Sequence, residues 1–86
     1  MNGATARLAL GDVKGAIDDY HQALRINPNY ADVYYNRGIV RASSGDKHLA
    51  ITDLQKASDL FKQQGNISSY QAVLDKIKQI IHSPVH

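Results

Sequence analysis

The stretch Gly11-Asp12-Val13-Lys14-Gly15-Ala16-Ile17-Asp18-Asp19-Tyr20-His21-Gln22-Ala23 returns 34 residues later as Gly45-Asp46-Lys47-His48-Leu49-Ala50-Ile51-Thr52-Asp53-Leu54-Gln55-Lys56-Ala57. Six positions are identical: Gly11/Gly45, Asp12/Asp46, Ala16/Ala50, Ile17/Ile51, Asp19/Asp53 and Ala23/Ala57. Extending the same offset over Met1–Tyr30 and Tyr35–Gln64 adds Asn2/Asn36 and Arg7/Arg41, with Ile26/Leu60 and Ala4/Gly38 as conservative matches. Chance would supply roughly two identities in such a window, so the chain is internally duplicated.

The repeated unit reads as helix, tight turn, helix. Glycine takes the left-handed conformation that closes one helix, and the aspartate after it accepts backbone N–H bonds at the start of the next. In the second copy, Ala31, Tyr34, Tyr35, Gly38 and Ala42 recur at helical spacing, predicting a helix capped by Asn29 and running to about Ser44. Leu49, Ala50, Leu54, Ala57, Leu60 and Phe61 give the following helix its buried stripe, and Gly65 ends it.

Working outward, the second helix of the first copy is expected from about Val13 to Ile26. It stops at Asn27-Pro28, because proline disfavours helical geometry in the residue before it. A last helix is expected from about Ser68 to His82. Ser68 and Gln71 form a capping box, while Tyr70, Val73, Leu74, Ile77, Ile80 and Ile81 form an apolar face, and Ser83-Pro84 is the stop. The expectation is five helices in an all-α stack.

Composition narrows the function classes. A chain of 86 residues forms one small domain, burying only ~60% of its unfolded surface. It has no cysteine, so disulfides and thiolate chemistry are excluded, in keeping with a reducing compartment. Ten Lys and Arg face eight acids, all aspartate, and the charges interleave without a basic stripe; this argues against a nucleic-acid partner. No apolar run approaches the ~18 residues of a membrane span, and no secretory core opens the chain. The sequence reads as that of a soluble, cytoplasmic protein.

The spacing resembles the tetratricopeptide-repeat (TPR) family, whose unit is a 34-residue helix pair. The second copy supplies Tyr34, Gly38, Ala50, Leu54 and Ala57 in the family's slots, and the first supplies Ala4, Ala16, Tyr20, Ala23 and Pro28. Gly11 and Gly45 hold the turns. Asn27-Pro-Asn-Tyr-Ala-Asp-Val-Tyr-Tyr-Asn-Arg-Gly38 is similar to joints in long bacterial TPR arrays. The resemblance divides one domain into an N-terminally clipped repeat (1–30), a second repeat (31–64), a capping helix (67–82) and a tail (83–86). Three departures stand out. The first helix is clipped, Lys62 replaces the closing proline so that its helix is expected to run long, and Leu74 stands where a tight hairpin wants a small residue.

Such a fold implies a protein-binding scaffold with no enzymatic activity, no cofactor and no bound metal. Its concave groove would be lined by Thr5, Leu8, Asp32, Tyr35, Asn36, Ile39, Ser43, Gln71, Asp75 and Lys78. Two readings stand for Tyr35 and Ile39: an anchor for a peptide or helix, or a patch covered by the chain's own last helix. Of the family's clamp for C-terminal carboxylates only Asn36 is matched, with Met1 and Thr5 in other slots. Arg7 with Asp19, and Arg41 with Asp53, are expected to pair between neighbouring helices; the alternative has Arg37 and Arg41 bind an acidic partner. Asp18 and Asp19 point about 100° apart and form no carboxylate dyad. His21 and His48 read as solvated, and Pro84 interrupts the helix that would align His82 with His86. A competing structural reading has clipped repeat ends self-associate as a dimer or swapped stack.

Overall fold

In the computed structural model, residues 12–82 are described, and they form four helices: α1 (Val13–Ile26), α2 (Ala31–Ser43), α3 (Lys47–Gln63) and α4 (Ile67–His82). The expected helix ahead of α1, with Ala4, Thr5, Arg7 and Leu8, lies outside the described residues, as do the turn residue Gly11 and the tail 83–86. The fold class is the all-α stack that the repeat predicts.

Each copy starts its second helix in the same way. The Asp12 Oδ1 accepts the Gly15 N–H at 2.9 Å, and the Asp46 Oδ1 accepts the Leu49 N–H at 3.5 Å. These caps satisfy donors that the first turn of a helix leaves without partners. Ahead of Asp46, Gly45 has φ +86, its N–H reaches Ala42 O at 3.1 Å, and the Asp46 N–H reaches Arg41 O at 2.8 Å. That pair of bonds is a Schellman closure. The same closure recurs between α3 and α4: Gly65 has φ +74, its N–H reaches Lys62 O at 3.1 Å, and the Asn66 N–H reaches Phe61 O at 2.9 Å.

Two expected caps are corrected. α2 starts at Ala31 behind Tyr30, which makes no side-chain cap, and Asn29 does not cap it. The Asn29 N–H is instead bound by Asn27 Oδ1 at 3.2 Å, inside a turn closed by the Tyr30 N–H on Asn27 O at 3.2 Å. Proline at the second position of that turn fixes its φ and places the bend one residue later. α4 is capped by Asn66, whose Oδ1 accepts the Ser69 N–H at 3.3 Å, and Ser68 lies already inside the helix. α3 does run long. Projecting the end of α1 by the repeat gives 26 + 34 = 60, and α3 continues to Gln63.

The core has two parts. Ala16, Tyr20, Val33 and Val40 join α1 to α2, with Ile17, Ala23 and Leu24 packed against them. Ala31, Leu54, Ala57, Leu60, Phe61 and Val73 join α2, α3 and α4. Burial, with the Asp19 carboxylate adding to it, raises the Tyr20 phenol above its ordinary range, so it stays protonated at neutral pH. Between α2 and α3 the backbones come close at Gly38. A Cβ there would lie 2.9 Å from Leu54 Cγ and 3.1 Å from the Ala50 carbonyl oxygen. Leu54 is fully buried and Ala50 presents backbone, so neither can move aside. Leu49, expected in the buried stripe of α3, is instead 41% exposed; it sits in the first turn, about 100° around the helix from the buried Ala50.

Candidate peptide-binding groove

Between the start of α2, the end of α3 and the start of α4 lies a cleft of about 130 Å³, lined by Asp32, Tyr35, Phe61, Ser69, Ala72 and Val73. Helical spacing explains this set. Asp32 and Tyr35 are three apart on α2, and Ser69, Ala72 and Val73 fall within four residues on one face of α4. Phe61 and Val73 belong to the core, so the floor is rigid and apolar. Asp32 is exposed at the rim, and Tyr35 is half-buried.

Of the expected groove residues, the cleft brings together Asp32 and Tyr35. Asn36 and Ile39 are half-buried further along α2, and Ser43 is exposed near its end. Tyr35 and Ile39 both pack against the core, and Tyr35 shares the cleft with Ser69, Ala72 and Val73 of α4. Gln71, Asp75 and Lys78 are exposed on α4, on a stripe turned more than a quarter-circle from Ser69, Ala72 and Val73 at about 100° per residue. Thr5 and Leu8 lie outside the described residues. Sequence reasoning missed Phe61, Ser69 and Ala72. Local spacing carries no signal for them, because the cleft is set by how α4 is rotated against the two helices before it.

The second polar feature is internal. Asp53, buried on α3, takes two bonds from Arg37, Nε to Oδ2 at 2.9 Å and Nη2 to Oδ1 at 2.7 Å. Arg41 Nη1 donates a third to Oδ2 at 2.9 Å. The two arginines are 13% and 18% exposed. Arg37 also lies over the Tyr34 ring, its Cζ 5.5 Å from the centroid. A planar fork holds a carboxylate in one orientation, so the triad fixes α2 against α3. The expected Arg41–Asp53 pair is present, Arg37 joins it, and the alternative in which both bind an acidic partner is set aside. Arg7, the proposed partner of Asp19, lies outside the described residues.

α4 carries a further feature. Ile67, Tyr70, Leu74, Ile77 and Ile81 alternate at spacings of three and four, the seam pattern of paired helices. Tyr70 and Ile77 turn toward the core, whereas Ile67 is 55% and Ile81 51% exposed. Ile81 was expected in the apolar face that α4 buries; it is instead half exposed near the end of that helix. His21, His48 and His82 are exposed. Among the described residues no group of three or more His, Cys, Asp or Glu could hold a metal ion, and no helix is long and apolar enough to cross a membrane.

Comparison with known proteins adds two family matches: the TPR repeat over residues 4–45 and the tetratricopeptide repeat over residues 31–64. The tetratricopeptide repeat and J domain-containing co-chaperone DNJ1 of Cryptococcus neoformans var. grubii is 44% identical over 43 residues, covering 50% of this chain and 8% of that protein. Photosystem I assembly protein Ycf3 of Acaryochloris marina is 35% identical over 51 residues, covering 59% of this chain and 31% of that protein. The chain therefore spans less than a third of the length of either relative.

Proposed function

Because the chain belongs to the tetratricopeptide-repeat family, we propose that it is a protein-interaction module whose concave face receives a peptide or helix from another polypeptide. The cleft beside Tyr35 carries this reading: it pairs a rigid apolar floor with a half-buried aromatic and a polar rim, the make-up of an anchor site. Asn36, Ile39 and Ser43 continue the face along α2. The similar proteins are a co-chaperone and an assembly protein, roles exercised on other proteins. The module would orient partners and perform no chemistry of its own.

Peptides selected from a displayed library against the whole chain test the reading. Tyr35→Ala is expected to weaken the selected peptides roughly tenfold, the scale of an aromatic anchor, while leaving helicity intact. Unchanged affinity would move the binding surface elsewhere.

One observation favours a second reading, self-association. Ile67 and Ile81 are exposed on α4 with Leu74 midway between them at seven-residue spacing, an apolar edge that a second copy would cover. Light scattering from low to tens of micromolar is expected to show mass rising toward a dimer. A constant monomer mass would remove this reading and leave the groove.

A further inference from the structure

We propose that the cleft between α2 and α4 is a specificity pocket for one lysine or arginine side chain of the partner peptide. The inference rests on the groove reading above and adds the chemistry of the residue received. At about 130 Å³ the cleft has room for roughly four waters' worth of volume. That suits a single side chain and falls short of the ~300 Å³ where small-molecule sites begin.

The lining selects among side chains. Tyr35, Phe61, Ala72 and Val73 offer apolar and aromatic surface to an aliphatic stem. Asp32 stands exposed at the rim, and no described group bonds or pairs with its carboxylate. The Ser69 side chain adds a hydroxyl. An acidic side chain entering here would meet Asp32 at close range. A neutral aliphatic chain would fill the space and leave the carboxylate unanswered. A lysine or arginine does both: its stem covers the floor while its cation reaches the rim and the Tyr35 ring. The nearby cations of the chain do not line the cleft. Lys62 lies over the Tyr70 ring at 5.8 Å, and Lys76 donates to Gln79 Oε1 at 3.2 Å.

Asp32 has a second effect. It sits in the first turn of α2, where the helix presents its positive pole. Without the carboxylate that pole would face an incoming cation and oppose it. The net charge of +2 gives a basic peptide no long-range attraction, so selection is local to the cleft.

The test uses capped heptapeptides, Gly-Ser-Ala-X-Ala-Ser-Gly, with X lysine, arginine, norleucine or glutamate, titrated into the isotope-labelled whole chain and followed by amide shifts. Lysine and arginine peptides are expected to shift the amides of Asp32, Tyr35, Ser69 and Ala72, binding about fivefold tighter than norleucine, the scale of one partly exposed ion pair. Glutamate is expected to bind most weakly. In Asp32→Asn, lysine should fall to or below norleucine, with norleucine unchanged. Norleucine equal to lysine in the unaltered chain would overturn the proposal, as would lysine-specific shifts confined to other surfaces, or no shifts at all. The groove reading is judged separately, by the response of selected peptides to Tyr35→Ala.

Discussion

The α2–α3 hairpin and the α3–α4 pairing close with the same joint, glycine in the left-handed region followed by a capping Asp46 or Asn66, yet they pack differently. In the first, Gly38 lets the backbones approach, and Asp53 draws two arginines across the interface. In the second, α4 meets the core through Val73, with the partly buried Tyr70, Ile77 and Ile80 beside it, and Val73 alone of α4 is fully buried. Local closure therefore decides where a helix turns, and the side chains on the facing surfaces decide how closely it returns. The cleft between α2 and α4 lies beside this second pairing.

The largest effect that would break this comparison is expected at Asp53. Asp53→Ala removes the acceptor of three bonds and leaves two largely buried guanidiniums without a counter-charge. Removing one partner of a buried pair costs about 3–5 kcal/mol, and partial re-solvation of Arg37 and Arg41 reduces this to about 2–3 kcal/mol. Urea unfolding with an unchanged slope is the measurement. A loss below about 0.5 kcal/mol would mean that packing at Gly38 alone holds the hairpin, and the triad would have no structural weight.

A smaller pair of substitutions sharpens the contrast between the joints. Gly45→Ala and Gly65→Ala meet no atom within 4 Å, so their cost is backbone strain alone, about 1 kcal/mol each. Their distribution should differ. Gly45→Ala is expected to lower the stability of the whole stack, because α2 and α3 hold its centre. Gly65→Ala is expected to speed amide exchange mainly in α4, with α2 and α3 little changed. Equal exchange throughout both variants would show a single cooperative unit and erase the distinction between the two pairings.

The comparison also explains what could be read in advance. The duplication, the Gly-Asp turns, the small residues Ala16, Gly38, Ala50 and Ala57 and the pairing of Arg41 with Asp53 follow from periodicity, because each sits where a repeat must be small or charged. The caps at Asn27–Tyr30 and Asn66 were displaced by a residue or two, since several adjacent polar side chains can accept the same N–H groups and tertiary direction decides among them. Asp32 and Tyr35 were legible as groove positions from α2 alone. Phe61, Ser69 and Ala72 were not, because a cleft among three helices depends on how α4 rotates about its axis, and local spacing does not determine that angle. The part of Arg37 in the Arg41–Asp53 pair was not legible for a related reason: its Asp53 partner is 16 residues away, and in the first copy Gly3 occupies the corresponding position.

The smallest expected effect tests the exposed edge of α4. Ile81 is half exposed near the end of the last described helix, so Ile81→Gln removes little buried area and should change monomer stability by less than about 0.5 kcal/mol. If two copies pair along Ile67, Leu74 and Ile81, the same substitution puts a polar side chain into the seam, and the dimer should weaken about tenfold by sedimentation while unfolding measured in dilute solution stays put. The two readouts separate an interface role from a folding role, because a residue that merely caps the core would move both together. A dimer unaffected by Ile81→Gln would place the contact on another face, and the exposed edge of α4 would then have no part in self-association.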